Sequence, residues 1–294
     1  MGFVPANPDV RERLFMAVKY LTYGWLTYNG YLFWASESLA ANVTFHGAMS
    51  LSELIEVYSA TIDTMFWIML VVLLELETYI LDDDVLKKTW VKWTMIALRS
   101  LCYGMIIYAF YGYVIKVMFQ SNIVPFAVAQ AGKGACDLVG HGYSILLALE
   151  EYIPLTAETC QTLDGQALGQ LNGYAIIGRV EDLTYARNVA WIDIFNASSW
   201  LGVVAVLEID VWFQLRGLYK GRLLQISKVL KVVFYSILFV CAIAWGFTGV
   251  FLDFADAALW LFAFFFIEMN LIQWQQTTEE EVMLTASSGS TETD

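Results

Sequence analysis

The sequence predicts an all-α integral membrane protein in which six transmembrane helices form three similar hairpins, with a long extracytoplasmic insert. The chain has 294 residues, is 59% hydrophobic and 16% aromatic, and has a mean hydropathy of +0.58. This is too apolar for an ordinary soluble domain. Six apolar windows reach the about 20 residues that a bilayer demands of a helix. A charged motif recurs near the end of every second window.

The predicted spans and the segments around them follow from these windows. The spans are residues 14–35, 62–81, 91–118, 189–215, 229–251 and 255–274. The chain then divides into an N-terminal segment 1–13, spans 14–118, an insert 119–188, spans 189–276 and a tail 277–294. The tail is polar and acidic, a composition typical of disorder. The start of the chain has no compact apolar segment followed by a cleavage site, so the first span is predicted to be retained.

Basic residues predict the orientation in the membrane. Of the 16 Lys and Arg residues, twelve lie at span ends on the side of the N-terminus. Basic residues near span ends stay cytoplasmic, so we expect both termini in the cytoplasm and the protein in a plasma membrane or bacterial inner membrane. The net charge is −13, and acids outnumber bases on the outer side. Such a surface concentrates cations, although charged runs are more often simply solvated.

The charged motif places Glu two residues before a second Glu, an Asp or an Asn. It occurs in LELETYIL (74–81), LEIDVWFQL (207–215) and IEMNLIQW (267–274). Its members are Glu75, Glu77, Glu208, Asp210, Glu268 and Asn270. Carboxylates inside apolar runs are costly and indicate a functional or pairing role.

The other three spans each carry a basic residue four positions before a tyrosine. The pairs are Lys19 with Tyr23, Arg99 with Tyr103, and Lys231 with Tyr235. Residues at i and i+4 share one helix face. At 1.5 Å per residue, the bases and the Glu motifs both lie roughly 7–9 Å inside the membrane boundary. We therefore expect one charged belt, in which the tyrosine hydroxyls also bond.

The pairing within this belt follows from helix geometry. We expect Lys19 to pair with Glu75, Arg99 with Glu208, and Lys231 with Glu268. Positions i and i+2 point about 200° apart on a helix. The second motif positions, Glu77, Asp210 and Asn270, are therefore expected to face another helix or a cavity. Because all three copies have the same orientation, a parallel, pseudo-threefold repeat is predicted.

The insert is predicted to form a small cap. It contains an amphipathic stretch from Tyr143, and long loops are usually functional or disordered. Cys136 and Cys160 both lie in it and are predicted to form a disulfide if that compartment is oxidising. Cys102 and Cys241 lie in spans and are predicted to be buried and free.

The sequence lacks the motifs that would indicate an enzyme. His46 and His141 are the two histidines and both lie outside the spans, so no haem or histidine-rich metal site is expected. The chain has no phosphate-binding loop, nucleophile elbow or dinucleotide fingerprint. No enzyme activity, cofactor or nucleic-acid partner is expected. The three-hairpin plan is similar to that of mitochondrial carriers, but their Pro-x-Asp/Glu-x-x-Lys/Arg signature does not occur.

Two functions remain. In the first, the protein conducts or transports a cation or a proton past the carboxylates of the belt. In the second, it is a non-catalytic structural or assembly subunit, joined to further copies of itself or to other membrane subunits. The belt alone also fits a purely structural role, with lysine stems extending to the interface. Polar groups lining a path at several depths would favour the first function, and a paired, dry belt between apolar layers the second.

Overall fold

The computed structural model describes residues 8–44, 57–76, 88–126, 135–146, 152–163, 165–215 and 222–264, with 54, 81 and 85 as isolated residues. The described part is mainly helical. Its long helices are α1 (Pro8–Thr44), α2 (Ser59–Glu75), α3 (Thr89–Ser121), α4 (Val180–Leu215), α5 (Arg222–Thr248) and α6 (251–264). Each of the first four packs beside the next along the chain. A hydrogen bond from Asn29 on α1 to Asp256 on α6 joins the last helix to the first.

Three helices are long and apolar enough to cross a membrane: Thr89–Ser121, Val180–Asp210 and Arg222–Thr248. The sequence predicts six spans, so the structure supports half of them by this measure. Helix α1 is long enough, but polar residues such as Lys19, Asn29 and Glu37 interrupt its apolar sequence. Helix α2 has 17 residues, and the description of α6 ends at 264.

One apolar cluster at the centre of the bundle receives a buried residue from every long helix. These residues include Leu26, Trp67, Ile106, Trp200, Leu238 and Trp260. Within the cluster, the rings of Trp67, Trp200, Trp260 and Phe264 form what we call the aromatic core. The Trp200 and Phe264 ring centroids lie 4.6 Å apart, and Trp67 is 6.2 Å from both Trp200 and Trp260. Large rings in such contacts bury much apolar surface and fix the helix positions.

Helices α4 and α5 approach closely at Gly202. A Cβ atom added there would lie 2.5 Å from the ring of Phe234 on α5. Small residues at helix contacts allow such approaches between membrane helices. Gly202 therefore sets the spacing of this pair.

The insert contains a five-stranded sheet, so the prediction of an all-α protein is wrong for this segment. The strands are β1 (Ile123–Pro125), β2 (Ser144–Leu146), β3 (Tyr152–Pro154), β4 (Leu168–Leu171) and β5 (Ile176–Arg179). Their order is β1-β4-β5-β2-β3, in which only β2 and β5 pair in parallel. Strands of three or four residues are too short to show the alternation that identifies a strand in a sequence.

A disulfide joins Cys136 to Cys160 across 24 positions, which confirms the predicted bond. It connects two short 3-10 helices, Ala135–Leu138 and Thr159–Leu163. They pack on Ile145 and Ile177 from the centre of the sheet. Cys102 and Cys241 are buried and free, as predicted. The sheet with its short helices is called the cap.

Two short connections hold the cap to the helices. Strand β1 begins two residues after α3 ends, and β5 runs directly into α4. The segment between α3 and α4 is therefore 122–179, shorter than the predicted insert. Across the second connection, the Arg179 guanidinium donates to both carboxylate oxygens of Asp182, at 2.6 and 2.9 Å. These bonds raise the pKa of Arg179, and Asp182 also lies favourably at the positive end of α4.

Candidate functional site

Charged residues lie in two layers at opposite ends of the helical bundle. The end that carries the cap is called the cap side, and the other the belt side. Along α1, Lys19 at the belt side and Glu37 at the cap side are separated by about 27 Å, at 1.5 Å per residue. This is close to the thickness of the hydrocarbon core of a bilayer, about 30 Å. The apolar central cluster lies between the two layers.

On the belt side, Lys19 and Glu75 form an ion pair, as the motif predicts. Lys19 Nζ lies 2.7 Å from Glu75 Oε2, and the lysine side chain is 1% exposed. The Tyr23 hydroxyl donates to Glu75 Oε1 at 3.0 Å. Lys19 and Tyr23 occupy one face of α1, so both reach the same carboxylate on α2.

The second hairpin uses its tyrosine in the same way. Tyr103 on α3 donates to Glu208 Oε1 on α4 at 2.6 Å. Arg99, one turn before Tyr103, was predicted to pair with Glu208 and lies on the same helix face. The tyrosine–glutamate contact thus occurs in both hairpins whose motif residue lies in the described part of the chain.

Asp210 faces another helix, as predicted, and meets a basic residue there that was not assigned to it from the sequence. Lys231 Nζ lies 2.9 Å from Asp210 Oδ2, to which Ser227 also donates at 2.6 Å. The predicted partner of Lys231, Glu268, lies outside the described residues. Helix α4 packs between α3 and α5, so residues on its opposite faces meet different neighbours. Glu208 faces α3 and Asp210 faces α5.

The remaining predicted belt residues complete this description. Glu77, Glu268 and Asn270 lie outside the described residues. Tyr235 packs against the central apolar cluster from α5. The described belt contacts therefore combine two lysines, three carboxylates and two tyrosines.

On the cap side, a cavity of about 410 Å³ lies between the helices and the cap. Tyr152, Tyr174 and Ile176 of the cap form its roof, and the aromatic core forms its floor. Its charged lining residues are Glu37, Asp63, Lys116, Asp193, Asp253 and Asp256. Among the described residues, five carboxylates and one ammonium group thus face a single space.

One of these carboxylates anchors a helix. Glu37 near the end of α1 accepts hydrogen bonds from the backbone N–H groups of Ala60 and Thr61, at 2.9 and 3.1 Å, and from the Thr61 hydroxyl. The first N–H groups of a helix have no partner within it. The Glu37 carboxylate supplies that partner for α2, where negative charge is also favoured by the helix dipole.

Three of the other carboxylates have partners that differ in charge. Lys116 Nζ lies 3.0 Å from Asp193 Oδ2, so these two charges offset each other. By contrast, Asp63 accepts from the neutral Tyr113 hydroxyl at 3.4 Å, and Asp256 from the neutral Asn29 amide at 3.2 Å. Neither neutral donor cancels a carboxylate charge. The cavity therefore contains more acidic than basic groups.

Among the described residues that line the cavity, buried polar atoms without a hydrogen-bond partner include Oδ1 of Asn196 on α4 and Nε1 of Trp245 on α5. Trp245 is only 4% exposed. Buried polar groups are nearly always bonded. Both atoms are shielded from the open space of the cavity.

Sequence reasoning did not predict this cavity. Asp63, Asp193, Asp253 and Asp256 each lie inside or beside an apolar run, which was the available signal. They belong to no repeated motif and occupy three different helices, so only the packing brings them together. The repeated Glu motif pointed instead to the opposite end of the bundle. Within the described ranges, no group of three or more His, Cys, Asp or Glu side chains has a metal-holding arrangement.

Comparison of the chain with protein families, curated proteins and solved structures found no match.

Proposed function

We propose that the protein is a six-span membrane protein, built as three hairpins, that binds a cation in the cap-side cavity and moves it across the membrane. The observation that carries this proposal is the excess of carboxylates facing the cavity. Ionisable residues at membrane depth are costly, and they commonly mark ion or substrate paths. A bound cation or proton would offset that cost.

The contacts of Asp63 and Asp256 support these two residues as the main cation ligands. Lys116 offsets Asp193, and Glu37 is engaged with the start of α2. Asp63 and Asp256 have neutral donors instead. In a low-dielectric site, an opposite charge near an ionised carboxylate stabilises it far more than in water. A cation between these two helices is the simplest source of that charge.

The belt side supplies the closed end of the proposed path. Below the cavity floor lie apolar residues such as Leu26, Ile106 and Leu238. The Lys19–Glu75 and Lys231–Asp210 pairs lie beyond them. This arrangement supports a state that accepts a cation from the cap side and is shut on the belt side. Glu77, Asp210 and Asn270, with the first acids of the three motifs, would then line the exit when the pairs separate.

Transport by protein in liposomes tests this proposal. The panel contains Na⁺, K⁺, H⁺ and simple alkylammonium ions, and we expect movement of at least one above the rate of empty liposomes. Asp63→Asn and Asp256→Asn should abolish it, since each removes charge at nearly constant volume. Glu158→Gln is the matched control, because Glu158 is an exposed acid of the cap outside the cavity lining. No movement of any ion by the wild-type protein would contradict the proposal.

A second candidate, an assembly subunit, is favoured by the outer surface of α1. Tyr28, Tyr31 and Trp34 are each at least half exposed. Tyr28 lies about 13 Å along the helix from Lys19, near the middle of the bundle. A tyrosine hydroxyl facing lipid there would lack a partner, which costs free energy. A neighbouring subunit would cover it, and replacing Tyr28 and Tyr31 with Phe should then reduce the mass of the complex extracted from native membranes.

A further inference from the structure

We propose that Trp67 and Trp260 are positioning residues that hold the carboxylates of Asp63 and Asp256 at the cap-side cavity. This inference rests on the proposed function, in which these two carboxylates bind the cation. It is carried by a residue pattern that recurs in the three helices with a Glu motif, and by the contacts of the two tryptophans.

A longer residue pattern precedes each Glu motif. An Asp or Asn lies four positions before a Trp, and that Trp lies eight positions before the first Glu of the motif. The three pairs are Asp63 with Trp67, Asn196 with Trp200, and Asp256 with Trp260. Residues at i and i+4 share one face of a helix, and long side chains in a helix point back toward its N-terminus. Each tryptophan is therefore placed to reach the polar side chain one turn before it.

The three pairs have matching environments in the structure. All six residues line the cap-side cavity. The Asp or Asn of each pair is half-buried, whereas the three tryptophans are buried, with exposed fractions of 7%, 6% and 5%. The same tryptophans form the aromatic core with Phe264. Each tryptophan thus connects a polar residue of the cavity to the rigid floor beneath it.

Two of the three pairs make a contact through the indole N–H. The N–H of Trp67 lies within hydrogen-bonding reach of the Asp63 carboxylate, and that of Trp260 within reach of the Asp256 carboxylate. The third pair differs, because Oδ1 of Asn196 has no hydrogen-bond partner among the described residues. The tryptophan of that pair does not donate to this oxygen. The contact is therefore present where the pattern has a carboxylate and absent where it has an amide.

The donors around each carboxylate leave acceptor sites for a cation. Asp63 also accepts from Tyr113, and Asp256 from Asn29. An ionised carboxylate has about four acceptor sites, so two donors leave about two of them. Groups that hydrogen-bond to a ligand side chain orient it, and their loss commonly lowers the affinity for a metal ion by about 10–100-fold. The two tryptophans are suited to this role because their rings are fixed in the aromatic core.

NMR spectra of the full-length protein in detergent, with nitrogen-15 in its tryptophans, test the two hydrogen bonds. An amide oxygen is a weaker acceptor than a carboxylate. We therefore expect Asp63→Asn to move the indole N–H resonance of Trp67 upfield, and Asp256→Asn to move that of Trp260. The resonance of Trp200 is the internal control and should move less in both spectra. Equal shifts of the three resonances, or no shift of any, would overturn the proposal.

Transport kinetics in liposomes test the positioning role, with the ion that the wild-type protein moves. We expect Trp67→Phe and Trp260→Phe to raise KM by about tenfold or more, with a smaller change in the maximal rate. Trp200→Phe is the matched control, because it removes an indole from the same aromatic core where the pattern has Asn instead of Asp. It should raise KM less than either of the others. Equal rises for the three variants would mean that only ring packing is lost, which would overturn the positioning role.

The two experiments separate this inference from the proposed function. If the wild-type protein moves no ion while the two resonances shift as expected, cation transport is overturned and the tryptophans still hold the carboxylates. If an ion is moved and the Phe variants keep the wild-type KM, transport stands and the positioning role is overturned. The Asn variants keep every tryptophan, so their spectra decide the hydrogen bonds even if a Phe variant folds poorly.

Discussion

The Lys19–Glu75 pair gives the most direct prediction for single residues. Both side chains are nearly excluded from solvent, at 1% and 11% exposure. Removing one partner of a buried pair strands the other charge and costs about 3–5 kcal/mol. We expect Lys19→Ala to lower the thermal stability of the protein in detergent strongly. Adding Glu75→Ala should recover part of that loss.

Lys92→Ala is the matched control for this cycle. Lys92 is an exposed lysine in the first turn of α3. Substitutions at such surface positions usually change the free energy of unfolding by less than about 0.5 kcal/mol. Additive effects of Lys19→Ala and Glu75→Ala would mean that the two charges are not coupled.

Residue contacts were predictable only where a pattern repeats along the chain. Lys19 and Glu75 could be paired from the sequence because a base-and-tyrosine pattern and a Glu motif recur at matching depths. The contact between Lys231 and Asp210 was not predicted because the pairing rule was applied within each hairpin. Helices α4 and α5 belong to different hairpins but pack side by side. The carboxylates of the cavity follow no spacing rule, so their meeting depends on the tertiary fold.

Among helix contacts, Gly202 provides the clearest prediction. A methyl group there would meet the Phe234 ring at 2.5 Å, and overpacking of this kind costs about 1–3 kcal/mol. We expect Gly202→Ala to lower the melting temperature in detergent by separating α4 from α5. The control is Gly104→Ala on α3, where a Cβ atom would meet nothing within 4 Å.

Gly104→Ala should leave stability unchanged or raise it slightly, because alanine favours a helix over glycine by about 0.5–1 kcal/mol. A Gly202→Ala variant as stable as the Gly104→Ala variant would show that the ring of Phe234 moves aside at little cost. The contact between α4 and α5 would then be adaptable at this position.

The cap depends on its disulfide. Closing a loop of this length stabilises a folded unit by about 3 kcal/mol in the chain-entropy model. We expect Cys160→Ser, with Cys136→Ser, to make the cap sensitive to proteases while α3 and α4 stay protected. Digestion followed by mass spectrometry of the fragments measures this. Equal protection of the cap with and without the bond would contradict it.

The strands of the cap are the secondary-structure elements that could not be predicted from the sequence. Long helices can be recognised in the sequence from their apolar windows. Strand β2 has only three residues, and all three are buried. A run such as Ser144–Leu146 carries no period, and its partners β3 and β5 lie about 10 and 30 positions away. The amphipathic stretch from Tyr143 and the two cysteines indicated that the segment folds compactly.

For the whole molecule, the orientation predicted from basic residues is testable with single introduced cysteines. His141→Cys lies in an exposed turn of the cap, and Gln225→Cys on the exposed first turn of α5 at the belt side. An impermeant thiol reagent added to intact cells should label the first and not the second. Cys102 and Cys241 are buried, so the reagent should label these two native cysteines only weakly. Labelling of Gln225→Cys alone would reverse the orientation.

Because β5 runs directly into α4, a tilt of α4 would carry the cap with it. Helix α4 has 36 residues and is therefore about 54 Å long at 1.5 Å per residue. The two hydrogen bonds between Arg179 and Asp182 stiffen the joint. A tilt of about 5° around the far end of a rod of that length displaces its tip by about 5 Å. A rotation of α4 of this size would therefore move Tyr174 and Ile176 over the cavity by more than the width of a water molecule.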